Sequence, residues 1–298
     1  MVKYVFAVCC ATSKTVRVMP TQFAQAARAI RDADALLITA GAGMGVDSGL
    51  PDFRGREGFW KAYPAIAGLG LSFAEMANPA WFENDPGLAW AFYGHRLNLY
   101  RTTTPHAGFA TLLAWAKFKP AGYFVFTSNV DGHFQKAGFD PERVVECHGS
   151  IHHLQCVSGC RNSIWDAGDQ KVEVDEVLFR AKDPLPACAH CGKLARPNIL
   201  MFHDLEWNDE RSHAQQLRLE QWIRQLASEG ARLVVLELGA GTTIPTVRRM
   251  SENLARRLQG MLVRINPREP EVPANQIGLP LGALAGIQQL AAVPHADA

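Results

Sequence analysis

Short apolar runs alternate with helix-period segments along most of the chain. The first periodic segment carries Phe23, Ala26, Ala27 and Ile30 on one helical face, with Thr21 after Pro20 as its predicted cap. Next comes Ala35-Leu36-Leu37-Ile38-Thr39, an apolar run of strand length that ends directly in a glycine-rich stretch. Strand, tight turn and helix start, in that order, are expected of a nucleotide-binding unit. The rhythm then repeats. Residues 106–118 place Phe109, Leu112, Leu113 and Ala116 on one face of a predicted helix, and strands are predicted at Tyr123–Thr127 and 144–147. Leu233–Leu238 reads as a buried strand and is again followed by glycines. A helix marked by Val247, Met250, Leu254 and Leu258 follows, then a strand over Met261–Ile265. Strands alternating with helices predict an α/β fold, a doubly wound parallel sheet covered on both faces.

Two segments break the alternation. Residues 56–105 are rich in aromatics (Phe59, Trp60, Tyr63, Phe73, Trp81, Phe82, Trp90, Phe92, Tyr93) and read as an inserted helical module. Residues 151–204 contain cysteines and many turn residues, and read as a small metal-binding domain. The predicted nucleotide-binding domain is then 21–150 with 205–298, and residues 1–20 form an N-terminal extension.

Composition narrows the function classes. With 48% apolar and 20% charged residues the chain can bury a large core, which excludes general disorder. Thirty Lys plus Arg against 29 Asp plus Glu leave a formal charge of +1, so no bulk field favours nucleic acid or an anionic membrane surface. No apolar run approaches the roughly 18 residues of a membrane span. The start of the chain lacks the ordered regions of a signal peptide, and a cytoplasmic location is expected. Seven cysteines are too few for a disulfide scaffold, and their spacing is the informative feature. Cys156 and Cys160 form one close pair, Cys188 and Cys191 another; two such pairs on knuckle-like turns can offer four thiolates tetrahedrally to one Zn²⁺. A closed four-thiolate site leaves no position for water, so its role is structural. Cys9, Cys10 and Cys147 have no partner at ligand spacing and read as small core residues.

The glycine-rich stretch runs Gly41-Ala42-Gly43-Met44-Gly45-Val46-Asp47-Ser48-Gly49-Leu50-Pro51-Asp52-Phe53-Arg54-Gly55. Its glycines would let backbone N–H groups approach a pyrophosphate at a helix N-terminus. The spacing is not that of the common dinucleotide fingerprint, and no acidic residue stands about 20 positions on at the end of a second strand. The whole string, with its SGLPDFRG tail, resembles the NAD-binding signature of the sirtuins. Further segments match that family in order. Thr127-Ser128-Asn129-Val130-Asp131-Gly132 is similar to its TQNxDG, and Glu146-Cys147-His148-Gly149-Ser150 to its E-x-HGS. Residues 196–202, Arg-Pro-Asn-Ile-Leu-Met-Phe, resemble the stretch along which an acylated peptide lies. Gly241-Thr242-Thr243 stands where the family has GTS, and Ile265-Asn266-Pro267-Arg268-Glu269 resembles its INxE.

The resemblance implies a Rossmann-like, sirtuin-type fold with an inserted zinc ribbon. It implies NAD-consuming removal of acyl groups from lysine in proteins or peptides, giving nicotinamide and O-acyl-ADP-ribose. In that reaction the acyl oxygen attacks the anomeric carbon of the nicotinamide ribose, and His148 then acts as general base on the ribose hydroxyls. By the same resemblance Asn129 holds the ribose and Asp131 the nicotinamide carboxamide. Asp52 sits beside the nicotinamide pocket, Phe53 shields the reactive carbon, Arg54 helps order the flexible loop, and Gly41, Ala42, Gly43, Ser128, Gly241, Thr242, Thr243 and Asn266 contact the cofactor. Ile199, Leu200, Met201 and Phe202 line the peptide, and the cysteine pairs hold the zinc. The sequence departs from the pattern at Gly45, Ser128, His133-Phe134 and Phe202-His203-Asp204. Tyr93 and Arg96 sit at a spacing that places both on one helix face. Some family members use such a pair to clamp the carboxylate of a succinyl or malonyl group; the alternative is a packed Tyr93 with Arg96 reaching solvent. An NAD glycohydrolase or ADP-ribosyltransferase on the same fold, and an NAD-sensing module without activity, are the other readings.

Overall fold

The computed structural model describes residues 20–52, 61, 63–168 and 170–294. The expected N-terminal extension, Pro20 apart, lies outside the described residues, as do Phe53, Arg54, Phe59 and Trp60.

Six strands form an all-parallel sheet: β1 (Ala35–Ala40), β2 (Tyr123–Thr127), β3 (Val144–Glu146), β9 (Leu233–Leu238), β10 (Met261–Ile265) and β11 (Ile277–Leu279), in the order β11-β10-β9-β1-β2-β3. The central strand shows why the apolar runs are unbroken. Its alternate side chains enter two different cores: Leu36, Ile38 and Ala40 pack on one face, Ala35 and Leu37 on the other. Helices Pro20–Asp32, Ala107–Lys117 and Ala283–Ala291 cover the first face, and Glu210–Glu229 and Thr246–Arg257 the second. Each fully buried Leu or Ile here contributes about 1.5–3 kcal/mol.

The boundaries differ from expectation in physically readable ways. Thr21 lies inside the first helix, which starts at Pro20, where a fixed φ suits the first turn. The predicted helix 106–118 begins one residue later because His106 is its cap, its Nδ1 accepting the Gly108 N–H. The strand expected over 144–147 stops at Glu146, where the chain turns into His148. Directly after β1 the described residues 41–52 hold no α-helix. Two 3-10 turns, Ala42–Met44 and Val46–Ser48, end instead at Gly49 with φ of 88°, a left-handed conformation that suits glycine.

The two inserted segments share one hydrophobic core. Strands β4 (Gly149–Cys156), β5 (Ile164–Asp166) and β8 (Ala195–Ile199) make an antiparallel sheet in the order β5-β4-β8, with a small hairpin of β6 (Val174–Asp175) and β7 (Arg180–Ala181) beside it. Helix Pro86–Thr102 packs on them, and its Trp90 Nε1 donates to the Ala195 carbonyl at 2.9 Å. Among the described residues no helix is long and apolar enough to cross a membrane.

Candidate active site

The segments singled out in the sequence leave the carboxyl ends of neighbouring strands. Residues 41–52 follow β1, 128–131 follow β2, 146–148 end β3, 239–243 follow β9 and 266–269 follow β10. In an open parallel sheet that edge is where ligands bind, at the point where the strand order reverses.

The first two loops are locked together. Asn129 Nδ2 donates to the Gly41 carbonyl at 3.0 Å, the Asn129 N–H to Thr127 Oγ1, and the Ser128 N–H to the Ala40 carbonyl. The glycines do something other than expected. The N–H groups of Gly41 and Gly43 donate to the Leu238 and Gly239 carbonyls, so they are not turned toward a phosphate. A Cβ on Gly43 would lie 2.7 Å from Gly239 Cα, and one on Gly239 2.4 Å from the Gly43 carbonyl carbon. Two glycine loops therefore interlock, backbone on backbone. Beside them is a cavity of about 80 Å³ bordered by Gly43, Asp47, Asp52, Gly239 and Arg268. Arg268 donates to Asp52 across it at 2.5 Å.

Gly241, Thr242 and Thr243 continue the second loop, where the Thr242 N–H and hydroxyl both donate to the Glu269 carboxylate. Asn266, expected against a ribose, is fully buried. Its Nδ2 donates to the Ala240 carbonyl at 2.7 Å and its Oδ1 accepts the N–H groups of Arg268 and Glu269. An amide so engaged shapes the loop.

Asp131 is buried, its Oδ1 accepting the His133 N–H at 2.9 Å and its carbonyl accepting His152 Nε2 at 2.9 Å. Burial raises its carboxyl to about 6, well above the usual carboxylate value, with Glu146 adding to the rise and Arg96 opposing it. His148 is half-buried, and desolvation lowers its pKa, which keeps the imidazole neutral at physiological pH. Its carbonyl accepts the Leu200 N–H at 3.0 Å, joining the His148 turn to the segment after β8. Of that segment, Ile199 and Met201 are buried, Leu200 is exposed and Phe202 half-buried. His203, in place of the family's glycine, keeps a positive φ of 60°, and Asp204 is buried in an ion pair with Arg196. Cys147 is no nucleophile: burial pushes its thiol up to about 12.

Tyr93 and Arg96 are both buried, at 1% and 6% exposure, so the arrangement with Arg96 in solvent is excluded. The Arg96 guanidinium lies over the rings of Phe92, Tyr93 and Tyr100, and its Nε donates to Tyr100 Oη at 3.1 Å. The Tyr93 hydroxyl is buried without a hydrogen-bond partner among the described residues. His133 is 1% exposed, neither ring nitrogen has a hydrogen-bond partner among the described residues, and burial lowers its pKa to about 4.

The sulfurs of Cys156, Cys160, Cys188 and Cys191 all lie within 4.8 Å of one another. Cys156–Cys191 and Cys160–Cys188 are each 3.7 Å apart, and a tetrahedral Zn²⁺ with Zn–S near 2.3 Å needs S–S separations of about 3.8 Å. Backbone N–H groups of Ser158 and Cys160 point at the Cys156 sulfur, and those of His190 and Cys191 at Cys188, as a metal knuckle requires. The four residues fit a zinc ion.

The model of the Sir2 family matches residues 41–222. The chain is 35% identical over 180 residues to an NAD-dependent protein deacylase of Thermococcus kodakarensis, covering 59% of this chain and 63% of that protein. It is 28% identical over 248 residues to a probable bifunctional ADP-ribose hydrolase/ADP-ribosyltransferase of Fusarium oxysporum f. sp. cubense, covering 79% of this chain and 41% of that one. A solved Sir2 homologue–NAD complex superposes with a TM-score of 0.65 at 23% identity, covering 90% of this chain and 92% of that one; this likeness concerns the fold. The chain spans 58 to 63% of the length of the first curated relatives.

Proposed function

Because the chain belongs to the Sir2 family, we propose that it removes acyl groups from lysine side chains of proteins or peptides with consumption of NAD, releasing nicotinamide and O-acyl-ADP-ribose. The observation that carries this reading is the convergence of Asn129, Asp131 and the His148 turn at one sheet edge, beside the interlocked glycine loops. Asn129, held by Gly41, is available to orient the ribose. Asp131 accepts from the nicotinamide carboxamide once ionised. His148, neutral through burial, takes the proton from the ribose hydroxyls after nicotinamide has left. The Leu200–His148 bond keeps the acyl-lysine stretch next to that base. Zinc, when bound by the four cysteines, supplies rigidity and no reactive position. Thiols grouped for a metal also suit the reducing cytoplasm.

The helical insert supports an acyl group that ends in a carboxylate. A buried guanidinium over the ring of a Tyr93 whose hydroxyl has no partner among the described residues suits a planar, charged carboxylate, so we assign succinyl- or malonyl-lysine as the preferred substrate. ADP-ribosyl transfer, one of the two activities in the name of the Fusarium relative, is less well supported, since this chain covers 41% of that protein. The test is incubation with acylated peptides, with and without NAD, followed by peptide mass. NAD-dependent loss of the acyl mass is expected; an unchanged peptide would overturn the reading.

A further inference from the structure

Glu146 is 1% exposed and lies two residues before His148. The start of helix Glu210–Glu229 holds its backbone N–H and carbonyl and one carboxylate oxygen, while the other, Oε1, is buried with no partner among the described residues. Arg211 Nη2 pairs with its carboxylate, Ser212 Oγ donates to its carbonyl at 2.9 Å, and Gln215 Oε1 accepts its N–H at 3.0 Å. The turn that follows is fixed by two more bonds, from the Cys147 N–H to the Thr127 carbonyl and from the Leu200 N–H to the His148 carbonyl. The segment leading into the helix is tied in turn to the antiparallel sheet. Asn198 Nδ2 donates to the Asn208 carbonyl, the Asn208 N–H to Gln155 Oε1, and Gln155 Nε2 to the Glu206 carbonyl.

We propose that Arg211, Ser212 and Gln215 are positioning residues that set His148 against the substrate stretch. The physical reason is the buried charge. The Glu146 carboxylate has Arg211 as its cation, and without it a charge would stay desolvated and unpaired, which the chain relieves by moving the 146–148 turn. A displacement near 1 Å at a reacting group costs on the order of 100-fold in rate.

The proposal rests on the deacylase reading, in which nicotinamide leaves before His148 acts. Two rates separate the steps: exchange of labelled nicotinamide into NAD in the presence of acyl peptide, and net deacylation. For Arg211→Met we expect deacylation to fall about 10- to 100-fold, exchange and the KM for NAD to stay within about twofold, and Arg211→Lys to recover most of the loss. Gln215→Met, which removes an acceptor and no charge, should show the same split more weakly, and it carries the test if Arg211→Met does not fold. Equal loss of both rates would mean a merely structural role and overturn the proposal, as would no loss of either. Wild-type protein showing neither rate would overturn the deacylase reading itself, and the positioning role with it.

Discussion

Replacing Asp131 by Asn should stabilise the protein while disabling it. The carboxyl is buried and ionises at about 6 in place of the ordinary 3.8, chiefly through desolvation. The folded state therefore holds a proton that the unfolded chain has already released between those two values. Stability from this group falls as pH rises from 3.8 through 6, and at neutral pH the buried anion opposes folding by about 3 kcal/mol. Asn keeps an oxygen for the His133 N–H and carries no charge. At pH 7.5 a gain of about 1–3 kcal/mol is expected, or several degrees in Tm for a chain of this size. At pH 4.5, where the unfolded carboxyl is still mostly ionised, the advantage should shrink to about a third. Calorimetry of both proteins across this range isolates the effect, because buried histidines such as His133 and His148 act alike in both. Their lowered pKa values remove stability as pH falls below about 6.5. Activity should drop by about 10- to 100-fold, the worth of a hydrogen bond to a charged acceptor. A Tm at or below wild type at pH 7.5, or a gap independent of pH, would refute the burial cost assigned to Asp131.

Other expectations follow from the same geometry. His148→Ala should lower deacylation by about 10²–10⁴-fold with zinc content and Tm unchanged, and more than about a tenth of wild-type activity would remove His148 as general base. Metal analysis should find one zinc per chain, and Cys160→Ser should lose it along with thermal stability; full zinc in that variant would point to another ligand. Arg96→Met should erase a preference of succinyl over acetyl peptide of about ten- to a hundredfold, read by competing both peptides in one tube, and a wild-type preference for acetyl would leave the buried Arg96 a packing residue.

What the sequence showed and what it hid have a common cause. Strands such as Leu233–Leu238 and Tyr123–Thr127 were legible because both faces are buried, which forces an unbroken apolar run. Strand Ile277–Leu279 and helix Ala283–Ala291 were not picked out, since three residues with a central glycine carry little periodic signal. The motif residues were visible because their spacing is local. Their surroundings were not, because they depend on contacts between distant residues. The grip of Arg211 and Gln215 on Glu146 spans 65 and 69 positions. The Arg264–Glu237 pair, buried between two central strands, spans 27 and reads in sequence only as two charges interrupting apolar runs. The burial of Arg96 arises from packing between the inserts, and a Tyr-x-x-Arg spacing alone fits either a clamp or a solvated face.

The most direct test of the account is the product balance of the wild-type protein given NAD and a succinyl- or acetyl-lysine peptide, read by mass spectrometry. The account predicts nicotinamide, free-lysine peptide and O-acyl-ADP-ribose in equal amounts, with none formed when either substrate is left out. Nicotinamide with plain ADP-ribose in the absence of peptide, or ADP-ribose attached to protein, would contradict it.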